Sequence, residues 1–431
     1  MNEEENLISL AKQSSLHWIG TFLQSFSQAQ LFFVGGCVRD TLLCRATQDV
    51  DIVIGNLSAP EIERWFKTQG TINFVGKSFG VYKFIPQGSE QEIDIALPRT
   101  EHASENNHGE YKAFDIDARS DLPIEMDLAR RDFTINAMAF DLRHKKLIDP
   151  HHGRRDLEAK LIKTVGAPAD RFREDLSRVL RAVRFACAFG FHIEEHTWAC
   201  LKEFVPHLLD RVDDHDVVAH ETIGKEFLKS FLVDPLCTIA RYENAGLLSI
   251  LFPAVDASVA KLFLDGASGL SPKLLIALFL LAADPDEAHE ILSTYHFSQL
   301  PRTERFHIDS REITWLLRSV HLVDVIHDPS LLPGSTFERL FLGERGECLL
   351  DLLRLTRADA EKKIHLIEAE RKRIHALWGD EIPELITGED LINMGLTPGP
   401  AFRKMQQAVR DAQLAGTVMT KEEAREFVKK I

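Results

Sequence analysis

The stretch Thr47–Asn56, TQDVDIVIGN, sets two aspartates one residue apart at the mouth of an apolar, β-branched run. Ile52, Val53 and Ile54 predict a strand. A period of two turns Asp49 and Asp51 to one face and Val50 and Ile52 to the other, toward a core. Side-by-side carboxylates repel, which raises one pKa unless a cation lies between them. A divalent metal is the commonest reason for a sheet to keep such a pair; a solvated strand face is the plain alternative.

Upstream, Ala29–Val34 (AQLFFV) predicts a second strand that runs into Gly35-Gly36 and then Cys37-Val38-Arg39-Asp40, where Leu42 and Leu43 continue a short helical pattern. Strand, glycine pair and helix start make a phosphate cradle. The glycines let backbone approach an anion, the helix N-terminus offers free N–H groups, and Arg39 adds a charge-assisted contact. Followed by the D-x-D, this suits a nucleoside triphosphate beside metal-binding carboxylates.

GGCVRDTLL…QDVDIVIG resembles the catalytic signature of the nucleotidyltransferase superfamily, in the branch that holds tRNA CCA-adding enzymes and poly(A) polymerases. Three further runs, 71–75, 81–85 and 92–97, predict strands. The expected fold is therefore α+β: a polymerase-beta-like nucleotidyltransferase head (1–150) with a mixed five-stranded sheet. An all-α neck (151–232), body (233–380) and tail (381–431) follow. Two-metal phosphoryl transfer asks for a third carboxylate on a neighbouring strand. Asp94 matches the family's position for it, and Glu92, with the same facing, is the alternative. The resemblance implies Mg2+ held by Asp49 and Asp51.

Residues 101–121 are polar and predict an irregular loop of functional length. Asp127–Ala137 (DLARRDFTINA) resembles the family's next motif, which implies triphosphate or sugar contacts for Arg130 and Arg131, an orienting Asp132 and a ribose-reaching Asn136. After the turn at 149–156 the pattern becomes helical. Within Arg171–Ala186, Asp175 and Arg178 are spaced i, i+3 and are expected on one helix face. A carboxylate accepts from an exocyclic amino group and a guanidinium donates to ring acceptors, so the pair matches the edge shared by cytosine and adenine. The resemblance makes this the amino-acid template of CCA addition, with Arg181 and Arg184 as further nucleotide contacts. A helical salt bridge is the alternative.

The chain has 431 residues, 45% hydrophobic and 27% charged, with a formal charge of −15. That balance speaks against indiscriminate nucleic-acid binding. A local basic stripe (Arg171, Arg173, Arg178, Arg181 and Arg184, preceded by Lys160 and Lys163) still suits one selective RNA partner. The tail, with Arg403 and Lys404 as RNA contacts, has a P-G-P turn and a T-K-E-E capping box. Six cysteines without C-x-x-C pairing read as buried thiols of a reducing cytoplasm. No signal pattern or membrane span is expected. His215-Asp216 and His327-Asp328 lack the companion ligands of an HD-type phosphohydrolase. The expected function is addition of CCA to the tRNA 3′ acceptor end from CTP and ATP. Poly(A) polymerase is the runner-up, disfavoured because Gly76–Gly80 departs from its G-R-R-F element, and an A-only or other partial enzyme is a third reading.

Overall fold

The computed structural model describes residues 3–47, 49–74, 81–103, 114–299 and 308–431. Gly76–Gly80 and the centre of the 101–121 segment lie outside them. The chain forms two compact units, Met1–Leu251 and Phe252–Ile431.

The first unit is built on a mixed sheet. Its strands are β1 (Gln30–Val34), β2 (Asp51–Gly55), β3 (Gly70–Phe74), β4 (Val81–Pro86) and β5 (Ile93–Ala96). Arg99–Ala103 (β6) and Phe114–Ala118 (β7) form a separate hairpin; Ala139–Asp141 (β8) and Lys146–Ile148 (β9) return to the main sheet. The order is β3-β4-β5-β2-β1-β8-β9, seven strands where five were expected. The two extra strands are three residues each, too short to show a period in sequence. Only β2 and β5 run parallel; the other neighbours are antiparallel. The hairpin also corrects the irregular loop expected over 101–121. Phe114-Asp115-Ile116-Asp117-Ala118 alternates apolar and acidic residues, a strand signal masked by the polar composition around it.

Eleven helices position the site. They are α1 (Glu3–Leu10), α2 (Trp18–Ser25), α3 (Gly36–Leu42), α4 (Ala59–Phe66), α5 (Ile124–Ala129), α6 (Gly153–Glu158), α7 (Pro168–Glu174), α8 (Ser177–Phe189), α9 (Glu195–Phe204), α10 (His220–Phe231) and α11 (Pro235–Ala245). α4 starts on a capping box in which the Ser58 N–H donates to Glu61 at 2.9 Å, with Pro60 in the first turn. One face of the sheet packs on an aromatic cluster, with Trp18, Phe22, Phe66 and Phe84 at centroid separations of 4.6–5.7 Å for the closest pairs. The other face buries Phe32, Val34 and Val53 against Ile124 and Leu128 of α5. Both sides of β2 are thus covered, and only its first residues reach the edge of that cover. Val50 is buried, Asp49 exposed and Asp51 half-buried.

α7 and α8 are two helices, not one. Asp175 adopts an extended conformation (φ −150°, ψ 103°) between them, and its carboxylate accepts the Ser177 N–H at 2.9 Å. The expectation that Asp175 and Arg178 share a helix face is corrected here. An aspartate side chain that bonds to nearby backbone stops the incoming helix and starts the next.

The second unit is helical, with many helices opened by an acidic or hydroxyl cap: Asp256, Ser271, Asp284 and Asp309 each accept a first-turn N–H. Its last part packs Leu391, Val409, Val418 and Val428 into one core. Pro400 opens the helix Pro400–Leu414, and Thr420 with Glu423 closes a capping box. Among the described residues no helix is long and apolar enough to cross a membrane. Three of the six cysteines are not buried: Cys44 is exposed, and Cys237 and Cys348 are intermediate. Cys237 and Cys348 lie on partly open helix faces and Cys44 in the turn after α3, which local composition did not reveal.

Candidate active site

β2 and β5 lie in parallel register with Asp51 opposite Asp94. This juxtaposition needs the long-range strand pairing and distinguishes Asp94 from Glu92, which precedes the strand. Lys83, across β4, donates to Asp94 Oδ1 at 3.1 Å and also pairs with Glu92. Burial pushes the Asp51 carboxyl above its ordinary range; Asp94 and Asp49 push the same way, and Arg131 pulls back. Three hard carboxylate oxygens form a donor set of the kind magnesium takes, so the residues fit such an ion. Among the described residues no group of three or more His, Cys, Asp or Glu is already drawn together around a point.

Beside the carboxylates, Gly35 turns the chain from β1 into α3 at φ 70°, where an L side chain is strained. A Cβ there would stand 2.5 Å from Arg131 Nη1 and 3.8 Å from Asp51 Oδ2. Gly35, Arg131 and Asp51 therefore share one corner, and only glycine fits it. Gly36 begins α3.

Arg130 and Arg131 are aimed by a residue that the motif reading passed over. Asp127, 1% exposed, receives Arg130 Nη2 at 2.7 Å and Arg131 Nη2 at 3.0 Å. Burial would raise its carboxyl, but Arg131 and Arg130 hold it below the ordinary value. The signal was available: Asp127 precedes the two arginines by three and four residues, one helical turn.

The other motif residues form a continuous chain of bonds. Arg181 Nε donates to Asp132 Oδ2 at 2.9 Å, Asn136 Nδ2 to Asp132 Oδ1 at 3.0 Å, and Arg39 Nη1 to Asn136 Oδ1 at 2.6 Å. Arg39 also pairs with Asp40 and lies over Phe189 at 4.7 Å. Burial would raise the Asp132 carboxyl, yet Arg181 and Asn136 hold it far below the ordinary range. Arg39, Asp132, Asn136 and Arg181, expected as nucleotide contacts, here bond one another and tie α3 to α8.

The basic stripe is likewise compensated. Arg171 and Arg178 pair with Glu174, Arg173 with Asp170, Arg181 with Asp132 and Arg184 with Glu226 of α10. The expected open run of positive charge is therefore corrected: acids one turn away or on a neighbouring helix meet each guanidinium. Arg178 Nη2 donates in addition to Arg130 O at 3.1 Å, and its Nε lies 3.9 Å from Asp175. Burial pushes the Asp175 carboxyl upward against the Ser177 bond and Arg178. Lys160 and Lys163 are exposed at the strand that follows α6. Arg403 and Lys404 are exposed on Pro400–Leu414 of the second unit. His215-Asp216 lies on an exposed two-residue strand, and Asp328 caps a short helical turn.

Residues 31–163, which carry most of this mixed sheet with its acidic strand ends and arginine corner, match the poly A polymerase head domain. The chain is 36% identical over 230 residues to the Multifunctional CCA protein of Neisseria gonorrhoeae, covering 53% of this chain and 51% of that protein. It is 37% identical over 230 residues to the CCA-adding enzyme of Blochmanniella pennsylvanica, with 52% and 51% covered. The chain thus spans about half the length of the curated relatives it matches. The solved structure of the Bacillus stearothermophilus CCA-adding enzyme in complex with CTP shares the fold at a TM-score of 0.69 and 23% identity, covering 100% of this chain and 98% of that one. The likeness in sequence to CCA-adding enzymes thus covers about half of the chain, and the likeness in fold nearly all of it.

Proposed function

We propose that this protein adds C, C and A to the 3′ end of tRNA from CTP and ATP, without a nucleic-acid template. The observation that carries the reading is the parallel register of Asp51 and Asp94, with Asp49 nearby and Gly35 and Arg131 at the same corner.

Asp49, Asp51 and Asp94 would hold Mg2+, which when bound lowers the charge on the triphosphate and favours ionisation of the primer's 3′-hydroxyl. The chain's own residues do the rest. Gly35 leaves room for phosphate oxygens against backbone, and Arg131, aimed by Asp127, offers its remaining donors to them. A carboxylate oxygen of Asp94 or Asp51 can accept the proton of the incoming hydroxyl. Arg178 and Asp175 would read the amino group and adjoining ring acceptor shared by cytosine and adenine. Since both are already bonded within the neck, reading a base would use their remaining donors and lone pairs. Lys160, Lys163, Arg403 and Lys404 are proposed RNA contacts, and the subdivisions 1–150, 151–232, 233–380 and 381–431 are proposed as head, neck, body and tail. The names of the curated relatives favour CCA addition over poly(A) synthesis.

The test is extension of a tRNA lacking its 3′ end with labelled CTP and ATP in the presence of Mg2+. Growth by three nucleotides that stops is expected. An unlimited run of A would replace the reading by poly(A) synthesis, and A added only to a tRNA ending in CC by the A-only enzyme.

A further inference from the structure

Outside the candidate active site, Cys187 and Cys237 bring their sulfur atoms to 2.6 Å. A disulfide bond measures about 2.05 Å, so these thiols need little movement to join. Cys187 is buried on α8, while Cys237 is half-buried in the first turn of α11. Arg241 lies one turn beyond Cys237, with Nε 3.3 Å from its sulfur, and is anchored through Nη2 to Phe191 O at 2.8 Å. Asp234 caps α11 by accepting the Cys237 N–H at 2.9 Å. Ser230 and Thr238, bonded to each other at 2.7 Å, complete the polar surroundings.

The two thiols are unequal. The contact with Cys187 lowers the Cys237 thiol to about 6; burial opposes this, and Arg241 reinforces it more than Asp234 weakens it. The same contact, together with burial, pushes Cys187 upward. The accessible cysteine is the better nucleophile and the buried one its protonated neighbour.

We propose that Cys237 and Cys187 form a peroxide-sensitive dithiol–disulfide pair, in which Cys237 is oxidised first and Cys187 resolves it. The Cys237 thiolate attacks one oxygen of hydrogen peroxide, the O–O bond breaks, and hydroxide leaves, taking a proton to become water. Cys237 is now a sulfenic acid. The Cys187 sulfur then attacks the Cys237 sulfur, the S–O bond breaks, and the Cys187 proton leaves with that oxygen as a second water. Two thiols and one peroxide give one disulfide and two waters, and a dithiol reductant reverses the change. In a reducing compartment such a pair is transient, as a sensor requires. The bond would join α11 to α8, the helix that carries Arg178, Arg181 and Arg184.

The experiment exposes the full chain to a few equivalents of hydrogen peroxide, blocks remaining thiols under denaturing conditions, and maps the peptides. The expected result is a Cys187–Cys237 cross-linked peptide that appears before Cys44, the exposed cysteine, is oxidised, and that dithiothreitol resolves. Cys187→Ala should instead accumulate a Cys237 sulfenic acid that dimedone traps. Oxidation of Cys44 while Cys187 and Cys237 both remain alkylatable in the wild-type chain would overturn the proposal. So would a folded Cys187→Ala variant without a dimedone adduct on Cys237. None of these readouts involves nucleotide transfer, so they stand apart from the proposed function.

Discussion

The head domain and the segment proposed as its neck each place acids beside arginines, and the two regions balance their charge in opposite ways. At Asp51, burial and two neighbouring aspartates outweigh two arginines, Arg131 and Arg39, which leaves the carboxyl raised. In the neck the guanidinium of Arg178 is bonded to Glu174 and to the carbonyls of Arg171 and Arg130. Asp175 likewise serves Ser177. Around Asp51 burial and neighbouring acids disfavour the ionised carboxyl, a cost that a cation would relieve; the helices α7 and α8 store geometry, because their polar atoms hold one another in place. Function through the first needs a ligand to arrive. Function through the second needs only the unused edges of groups already fixed.

This contrast can be broken most sharply at Asp51. Asp51→Ala should reduce nucleotide transfer by ~10³-fold or more, as loss of central transition-state charge stabilisation does, in an extension assay with Mg2+. Its melting temperature should hold or rise. The sign follows from linkage: an acid whose folded pKa is raised costs stability at neutral pH, and that cost fades as pH falls through the folded value. A large drop in melting temperature with activity retained would mean that Asp51 is structural.

Asp127 should behave in the reverse manner. Asp127→Ala leaves two nearly buried guanidiniums without their acid and should cost about 3–5 kcal/mol of stability, read from denaturant melts. Its carboxyl, like that of Asp132, is held below the ordinary range. Such groups stabilise the fold above the unfolded carboxylate pKa, and that contribution is lost as pH falls through the folded one. Acid melts of wild type should therefore steepen below about pH 4, and Asp127→Ala should flatten them.

Arg178→Ala sharpens the comparison from the neck side. If Arg178 reads the base, relative kcat/KM for UTP or GTP against CTP and ATP should rise by an amount worth about 1–3 kcal/mol of discrimination. Mg2+ dependence should be unchanged. Because the residue also bonds Glu174 and Arg130, its melting temperature should fall as well. Unaltered base preference with lowered stability would assign it to structure alone. The smallest effect is expected for Asp175→Ala on stability: loss of the hydrogen bond from Ser177 N–H costs about 1 kcal/mol, measurable in a urea melt, with base preference moving in the same direction as in Arg178→Ala.

Much of the architecture was readable because its signals are local. The β-branched run after Asp51, the capping box at Ser58, the proline that opens Pro400–Leu414 and the helical period after Leu157 all act within a few residues. The three-residue strands Ala139–Asp141 and Lys146–Ile148 were missed because they exist only through pairing with β1 and with each other. The hairpin Phe114–Ala118 was hidden by composition, although its alternation was present.

By itself the sequence determined which chemistry this chain carries: paired carboxylates, a glycine turn, an arginine pair, and an acid with an arginine at helical spacing. Residue type and short-range spacing are properties of the chain before it folds. Only the tertiary structure decided which of those groups meet. Strand pairing brought Asp94, rather than Glu92, opposite Asp51. Helix packing gave the basic stripe its acidic partners, Glu226 on α10 and Asp132 from the head. For Arg181 and Arg184 that compensation joins residues far apart in sequence, which no local pattern could have specified, whereas Glu174 and Asp170 lie within one turn of the arginines they meet.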